Sequence, residues 1–273
     1  MDAQGGGLSD GLEGRWALIL GASSGHGGGA AMEFARAGMN VFGVHLDLRQ
    51  TLPNAQRVVD YIKDMGGEAV FFNVNAADEQ KRRAVVGEIR ERLAPGTNLR
   101  ILMHSLAFGT LRPYLPADRK EAVNQKQVEM TLDVMANSLV YWVQDLFYSG
   151  LLGAGSKVFA MTSAGSHRVL PNYGPTGAAK ATLEYHVKHL AVELAARGIA
   201  VNAIQAGVTD TPALRKIPGH EQMLEFGREH NPGGRLTVPD DVARTMVQLA
   251  ADDRPWLTGN VIHVDGGEDL IVY

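Results

Sequence analysis

The stretch RWALILGASSGHGGGAAMEFARAGMNVFGVHLD, residues 15–47, decides the fold. It opens with an apolar run, passes through a glycine-rich turn into a segment with helical spacing, and ends in a second apolar run. Neighbouring parallel strands need a crossover connection, which is usually a helix, so this order predicts the first unit of a parallel sheet. Both runs are continuously apolar, as expected for strands that are buried on both faces.

The same alternation continues to the end of the chain. Further strand-like runs occupy 68–76, 99–109, 156–165, 199–207 and 259–267, and helical patterns lie at 55–67, 79–96, 121–149, 175–197 and 240–252. The sequence therefore predicts an α/β fold: a single-domain doubly wound (Rossmann-type) sheet of about seven parallel strands with helices on both faces. Residues 1–13 are Gly-rich and acidic, so we expect a flexible tail there and one domain at 14–273.

The composition excludes several classes of protein and site. The chain has 273 residues, a formal net charge of -4 and no cysteine, which excludes disulfides, thiolate zinc sites and cysteine nucleophiles. The mild acidity argues against nucleic-acid binding, which needs a basic patch, and the KRR run at 81–83 is interpreted as a solvated helix face. No apolar run approaches the ~18 residues of a membrane span. The N-terminus lacks the apolar core of a signal peptide or anchor, so we expect a cytoplasmic protein.

The turn GASSGHG, residues 21–27, has the spacing of a dinucleotide-binding loop. Gly21, Gly25 and Gly27 let the backbone turn tightly and approach a pyrophosphate, which the N-terminus of the following helix attracts. A plain tight turn is also compatible with this glycine pattern. Its place at the first strand-to-helix turn favours binding of NADH or NADPH.

Asp47 and Arg49 indicate different forms of that cofactor. Asp47 follows Gly27 by 20 residues, at the end of the second strand, where a carboxylate accepts hydrogen bonds from the adenosine ribose of NAD. Arg49 lies two residues further on and is suited to the 2′-phosphate of NADP. Asp47 is equally compatible with a loop cap. The sequence leaves the preference between NADH and NADPH open.

The stretch PNYGPTGAAKATLE, residues 171–184, holds a candidate catalytic pair. Pro175 suits the first turn of a helix, which places Tyr173 just before the helix and Lys180 two turns on. Residues seven apart return to the same helix face, so both side chains are expected to reach one site. The ammonium is expected to lower the pKa of the phenol from its ordinary value of about 10 and make it a better acid. A packing tyrosine and a solvent-facing lysine are the plainer alternatives.

Over nearly its whole length the chain resembles the short-chain dehydrogenase/reductase family. The matching features, in order, are GASSGHG, Asn73 after the third strand, TSAGS at 162–166, Lys180, VNAIQAG at 201–207 with Thr211, and VDGG at 264–267. Three departures from the commonest pattern look like the enoyl-acyl-carrier-protein reductase branch, of the type resembling ketoacyl reductases. Tyr173 precedes Lys180 by seven residues rather than four, HSLAFG follows the fourth strand at 104–109, and Ala206 stands where a proline is usual.

The resemblance implies NAD(P)H-dependent reduction of the C=C bond of an enoyl thioester. It implies that Tyr173 donates to the thioester oxygen, that Ser163 bonds the same oxygen and that Lys180 holds the nicotinamide ribose. Carbonyl-reducing relatives carry a catalytic serine near the place of Ser163, so the alternative is a carbonyl reductase or alcohol dehydrogenase acting on a 3-oxoacyl or other ketone. Thr176, in the slot nearer to Lys180, is no adequate proton donor and weakens that alternative. A cofactor-binding sensor without turnover is a third hypothesis.

Ligands of such sheets gather at the carboxyl ends of the strands, where the candidate cofactor-binding residues lie. They are Gly21, Ser23, Ser24, Gly25, His26, Gly27, Asp47, Asn73, Val74, Ser105, Ala107, Lys180, Val208, Thr209 and Thr211. The spacing of His26, His104 and His167 fits no tight ligand pattern, so no metal site is predicted. The polar, proline-broken segment at 208–236 is predicted to be a substrate lid, with a surface helical hairpin as the alternative.

The resemblance also implies partners. The substrate is expected to be an acyl thioester, either a small molecule or carried on acyl carrier protein. A homotetramer or homodimer is expected, in which Tyr141 and Trp142, on the helix at 121–149, pack against a second subunit. An ordinary core-facing helix is the alternative.

Overall fold

A seven-stranded parallel sheet organises the chain, whose computed structural model describes residues 11–271. Its strands are β1 Trp16–Leu20, β2 Asn40–His45, β3 Ala69–Asn73, β4 Ile101–His104, β5 Lys157–Thr162, β6 Ala200–Ala206 and β7 Val261–Val264. They lie in the order β3-β2-β1-β4-β5-β6-β7, with every neighbouring pair parallel. The order reverses between β1 and β4, and ligands of doubly wound sheets bind at that switch point.

Helices cover both faces of the sheet. In the described part of the chain the α-helices are α1 Gly25–Arg36, α2 Leu52–Asp64, α3 Glu79–Arg92, α4 Gln125–Leu132, α5 Ser138–Tyr148, α6 Gly174–Ala195, α7 His220–His230 and α8 Pro239–Ala251. Alternate residues of β1 enter opposite halves of the core: Leu18 packs with α3, α5 and α6, whereas Ile19 packs with α1, α2 and α8. The predicted doubly wound α/β fold is therefore confirmed.

The helical pattern at 121–149 is not one helix in the structure. Asn124 begins α4 with a capping box that also uses Gln127, and a π-helical segment at Asp133–Asn137 separates α4 from α5. A π segment inserts an extra residue into the turn, and apolar periodicity alone does not reveal it. The segment brings Met135 against the candidate site described below.

Trp142 belongs to the core of its own chain. Its side chain is fully buried, and its indole N–H donates to the carbonyl oxygen of Ala76 at 2.9 Å. Tyr141 is half-buried, and the Arg82 guanidinium lies over its ring, 5.3 Å from the centroid. The expectation that Trp142 packs against a second subunit is therefore wrong, because the ring and its N–H are both satisfied within the chain.

The prediction of a flexible tail at 1–13 is wrong for residues 11–13. Residues 1–10 and 272–273 lie outside the described residues, but 11–14 form a turn. Leu12 is fully buried in the same half of the core as Phe34 and Ala35, so the packed chain begins before residue 14. An apolar residue inside a Gly-rich stretch was the available signal.

Within residues 11–271, no helix combines the length and the apolar character that crossing a membrane requires.

Candidate active site

The glycine-rich turn joins β1 to α1 with almost no room for side chains. Gly21 has a φ of 92°, which favours glycine, and a Cβ there would lie 2.4 Å from the carbonyl oxygen of Ser105. A Cβ on Gly27 would lie 2.1 Å from the carbonyl oxygen of Gly21. Both distances are far below van der Waals contact, so the close approach of these backbone segments requires glycine.

The N-terminus of α1 is suited to a phosphate group. Ser24 is the N-cap and makes no side-chain cap hydrogen bond, and the first turn of α1 holds no acidic residue. Backbone N–H groups at such a terminus favour anions. A Cβ on Gly25 would lie 3.6 Å from Thr211, so the predicted lid starts beside this turn. The turn therefore fits the pyrophosphate of a dinucleotide.

Asp47 lies against the glycine turn with its side chain 9% exposed. Burial tends to raise the pKa of this carboxyl, but hydrogen bonds from Thr51, Ser23 and His45 outweigh burial and lower it. The Nδ1 atom of His45 lies 2.8 Å from the carboxylate. Asp47 thus presents an ionised group at the end of β2, and Arg49 is exposed two residues further on.

Asn73 and Val74 hold the strand ends next to Asp47. The Asn73 amide accepts from the backbone N–H of Asp47 and donates to its carbonyl oxygen, both at 2.9 Å. The backbone N–H of Val74 donates to the carbonyl oxygen of His45 at 2.8 Å. In this structure the Asn73 side chain therefore positions the loop that carries Asp47.

A cavity of about 240 Å³ opens at the carboxyl edge of the sheet, beyond the switch point. The sequence-predicted residues that line it are His26, Ser105, Ala107, Ser163, Tyr173, Lys180, Thr209 and Thr211. Much of the remaining wall is apolar and includes Leu106, Phe108, Met135, Leu214 and Ile217. Gly21, Ser23, Ser24, Gly25, Gly27, Asp47, Asn73, Val74 and Val208 are not among the residues that line it.

Tyr173 is the N-cap residue of α6, directly before the helix, as predicted. It is 9% exposed, and its hydroxyl lies 3.3 Å from the hydroxyl of Ser163, which directly follows β5. A Cβ on Gly165 would lie 2.4 Å from the Tyr173 ring, so that glycine makes room for the ring. The packing therefore aims two hydroxyls at one point of the cavity.

Lys180 is buried on the inner face of α6. Its ammonium donates to the carbonyl oxygen of Met161, in β5, at 2.7 Å, and the residue is 5% exposed. Burial lowers the pKa of Lys180 to about 8, and the charge of Glu184 opposes that shift. The solvent-facing alternative for Lys180 is excluded by this burial.

The expected effect of Lys180 on Tyr173 is wrong for the structure as it stands. Burial raises the pKa of the Tyr173 phenol, and the hydrogen bond to Ser163 opposes that rise in part. The sequence places the two residues on one face but says nothing of how much water the fold removes from the phenol. Tyr173 is consequently protonated at neutral pH and available as a donor.

Several residues of the site were not predicted. Met135 reaches the cavity from the π-helical segment, for which the sequence carried no signal. Thr176 lines the cavity with its hydroxyl buried and, within the described residues, without a hydrogen-bond partner. Glu184 lies four residues after Lys180, and this spacing predicts that the two side chains are neighbours on one helix face. Among the described residues, no group of three or more His, Cys, Asp or Glu side chains is arranged to hold a metal ion.

The segment at 208–236 borders the cavity and is partly helical. It contains a 3₁₀ turn at Leu214–Lys216 and helix α7, and residues of the turn line the cavity. Glu268 links the first residue of the segment to Asn231, which follows α7, because it accepts from the backbone N–H of Val208 at 3.1 Å and from the Asn231 amide at 3.3 Å.

Residues 21–268 match the sequence model of the family described as enoyl-(acyl carrier protein) reductase. The chain belongs to this family. The match spans the glycine turn, the Tyr173–Lys180 pair and the segment at 208–236.

The curated relatives include an enoyl-[acyl-carrier-protein] reductase and a reductase of a different substrate. The enoyl-[acyl-carrier-protein] reductase [NADH] FabI of Aquifex aeolicus is 28% identical over 267 residues, which cover 95% of this chain and 93% of the relative. A trihydroxynaphthalene reductase of Pestalotiopsis fici is 27% identical over 270 residues, covering 93% of this chain and 89% of the relative. The chain is thus similar to reductases of more than one substrate class.

Solved structures of enoyl-(acyl carrier protein) reductases share the fold. The enoyl-acyl carrier protein reductase of Bacillus cereus, solved with NADP+ and indole naphthyridinone, superposes with a TM-score of 0.85 at 25% identity. That comparison covers 96% of this chain and 99% of the other. The similarity therefore extends over the whole described fold.

Proposed function

We propose that this protein reduces the C=C bond of an enoyl thioester with NADH or NADPH. The observation that carries the proposal is the Tyr173–Ser163 hydroxyl pair, 3.3 Å apart at the wall of a largely apolar cavity. Lys180 is buried on the helix that follows Tyr173, on the same face as Tyr173. Thr176, in the slot nearer to Lys180, supplies no phenol, so Tyr173 is the acid of this helix face.

Tyr173 is proposed to stabilise the charge that builds on the substrate. A bound nicotinamide supplies the hydride that adds to the β-carbon of the enoyl group. As the electron pair of the double bond moves towards the thioester oxygen, the Tyr173 hydroxyl donates a hydrogen bond to that oxygen and stabilises the enolate. The enolate then takes a proton from solvent at its α-carbon, which completes the saturated thioester. The Ser163 hydroxyl is close enough to Tyr173 to share this role. A phenol kept protonated by burial suits the donor role.

The remaining predicted residues are proposed to hold the dinucleotide. The glycine turn and Thr211 receive the pyrophosphate, Asp47 receives the adenosine ribose, and Lys180 with Thr209 receives the nicotinamide end. Asn73 is proposed to act through Asp47, whose backbone it binds on both sides. This division assigns one end of the cavity to the cofactor and leaves the apolar wall to the acyl chain.

The segment at 208–236 is proposed to be the substrate lid of one reductase domain. Ala213, Leu214 and Ile217 bring apolar side chains to the cavity, where an acyl chain buries them from water. The carrier of the acyl group, coenzyme A or acyl carrier protein, belongs to the proposal as well. A homotetramer or homodimer is proposed for the assembly, and analytical ultracentrifugation tests it.

The direct test of the proposed function is a steady-state assay. It crosses NADH and NADPH with an enoyl thioester and a ketoacyl thioester. We expect oxidation of the dinucleotide with crotonyl or longer enoyl thioesters. Reduction of the ketone without reduction of any enoyl thioester would contradict the proposal.

Carbonyl reduction remains the second candidate, favoured by the Ser163–Tyr173 contact and by the similarity to trihydroxynaphthalene reductase. Ser163→Ala separates the two reactions. We expect a mild loss of enoyl reduction, since Tyr173 still donates to the oxygen, but a loss of about 100-fold or more if Ser163 is an essential donor to a ketone. A sensor without turnover predicts instead that a dinucleotide raises Tm while a substrate panel gives no activity.

Asp47→Asn is expected to change the cofactor preference, which we propose to be for NADH. An ionised carboxylate repels a 2′-phosphate, and two unit charges ~4 Å apart interact by about 1 kcal/mol in water and about 4 kcal/mol at an effective dielectric constant of 20. The ratio of kcat/KM for NADH to that for NADPH should therefore fall at least about tenfold. Asp64→Asn, an exposed site at the end of α2, is the control with the same charge change. An unchanged ratio in Asp47→Asn would count against the preference.

A further inference from the structure

Two hydrogen bonds join α6 to the last residues of β5, directly before Ser163. The Lys180 ammonium donates to the carbonyl oxygen of Met161 at 2.7 Å, and the Thr162 hydroxyl donates to Oε1 of Glu184 at 2.6 Å. Lys180 and Glu184 are four residues apart, which makes them neighbours on the helix face. The cation and the anion of α6 therefore bind two consecutive residues of β5, Met161 and Thr162.

We propose that Glu184 is a positioning residue that acts through Lys180: its carboxylate, fixed by Thr162, is the counter-charge that keeps the buried ammonium charged in the site. The inference rests on the role proposed for Lys180 in the reductase. Because Lys180 is only 5% exposed, its ammonium has lost most of its hydration, and an opposite charge is needed to offset that loss.

The other titratable groups around Lys180 supply no negative charge. His26 on α1 and His104 on β4 both feel the lysine charge; burial first, and that charge second, lower their pKa values to about 4 and about 3. Both imidazoles are therefore neutral at neutral pH. Tyr173, directly before α6, is neutral as well, since burial raises its pKa. Of the described residues, Glu184 is the one whose charge raises the pKa of Lys180.

These charges determine the direction in which the pKa of Lys180 should change when Glu184 is neutralised. With a pKa of about 8, Lys180 is charged below that pH and loses its proton above it. Glu184→Gln keeps an oxygen that accepts from Thr162 but removes the negative charge. Burial then acts unopposed, so the pKa of Lys180 should fall below its wild-type value of about 8.

The test measures Lys180 directly. Protein labelled with ¹³C-lysine is titrated by NMR, and the Lys180 Cε resonance is assigned by its loss in Lys180→Arg. We expect the titration midpoint to move to lower pH in Glu184→Gln and to return towards the wild-type value in Glu184→Asp, which keeps a charge. Glu193→Gln is the matched control on the same helix, because Glu193 is exposed and faces His189 at 3.5 Å.

A second readout connects the charge to the proposed site. The Kd of NADH is measured by fluorescence across the neutral and alkaline range. We expect the Kd to increase as the pH rises, and to begin this increase at a lower pH in Glu184→Gln than in the wild type. An unmoved Lys180 midpoint, or an equal movement in Glu193→Gln, overturns the proposal. A lower Tm in Glu184→Gln with an unchanged Lys180 titration midpoint also overturns the proposal, because a purely structural role of Glu184 predicts that pattern. Neither readout uses an acyl substrate, so a failure of enoyl reduction would leave the result standing.

Discussion

Tyr173→Phe is expected to lower kcat for an enoyl thioester by about 10²- to 10³-fold, the usual cost of removing one donor to a developing oxyanion. The substitution deletes the hydroxyl that lies 3.3 Å from Ser163 and leaves the ring packed against Gly165. KM should change little, since the lost interaction strengthens only as charge develops. Steady-state kinetics and the Kd of NADH together separate this effect from a binding defect.

Tyr185→Phe is the matched control for that experiment. Tyr185 lies on the same helix and is 62% exposed, so the same deletion should leave kcat unchanged. A Tyr173→Phe variant with near-wild-type turnover and intact NADH binding would remove Tyr173 from the chemistry. The phenol would then be a packing residue, the plainer of the two interpretations that its sequence position allows.

Gly27→Ala is expected to weaken dinucleotide binding. The added Cβ would lie 2.1 Å from the carbonyl oxygen of Gly21, so the turn must open. Overpacking of this kind costs about 1–3 kcal/mol or more of unfolding free energy. If the dinucleotide must meet a similar cost to close the turn around itself, the Kd of NADH should rise by about 10- to 100-fold or more. Titration by fluorescence and thermal unfolding measure the two effects.

Gly87→Ala is the matched control, because it adds the same methyl group at a position where neither packing nor NADH binding should be affected. Gly87 lies inside α3, and a Cβ there meets no atom within 4 Å. Alanine favours a helix over glycine by about 0.8–1.0 kcal/mol, so this variant should be slightly more stable and bind NADH normally. If Gly27→Ala behaved in the same way, the glycine turn would not be the dinucleotide-binding element.

The sequence predicts the fold well because its strands and turns carry strong local signals. The continuous apolar runs of β1 and β2 and the glycine turn between them specify a parallel unit, and the structure has it. The positions of Tyr173 and Lys180 were readable because Pro175 marks the start of α6 and a seven-residue gap returns to one face.

Properties that depend on how the chain buries its groups were not readable. The pKa of Tyr173 is raised rather than lowered, because desolvation by burial in the folded chain outweighs the other effects on the phenol. Trp142 looked like an interface residue, yet its N–H is bound by Ala76, 66 positions away. The π-helical segment at Asp133–Asn137 has no periodic signature, so Met135 could be placed on a helix face but not in the cavity.

Glu268 fixes the chain at both ends of the stretch from Val208 to Asn231. Both ends of the segment bond one carboxylate, at 3.1 and 3.3 Å, while its interior turn and helix border the cavity. We therefore expect a segment of different length or sequence, grafted between the same two anchor residues, to leave the sheet in place. Such a graft must keep the region after β7, because that region carries the Glu268 carboxylate. A carboxyl-terminal fusion that moved Glu268 would weaken the attachment of both ends of the graft.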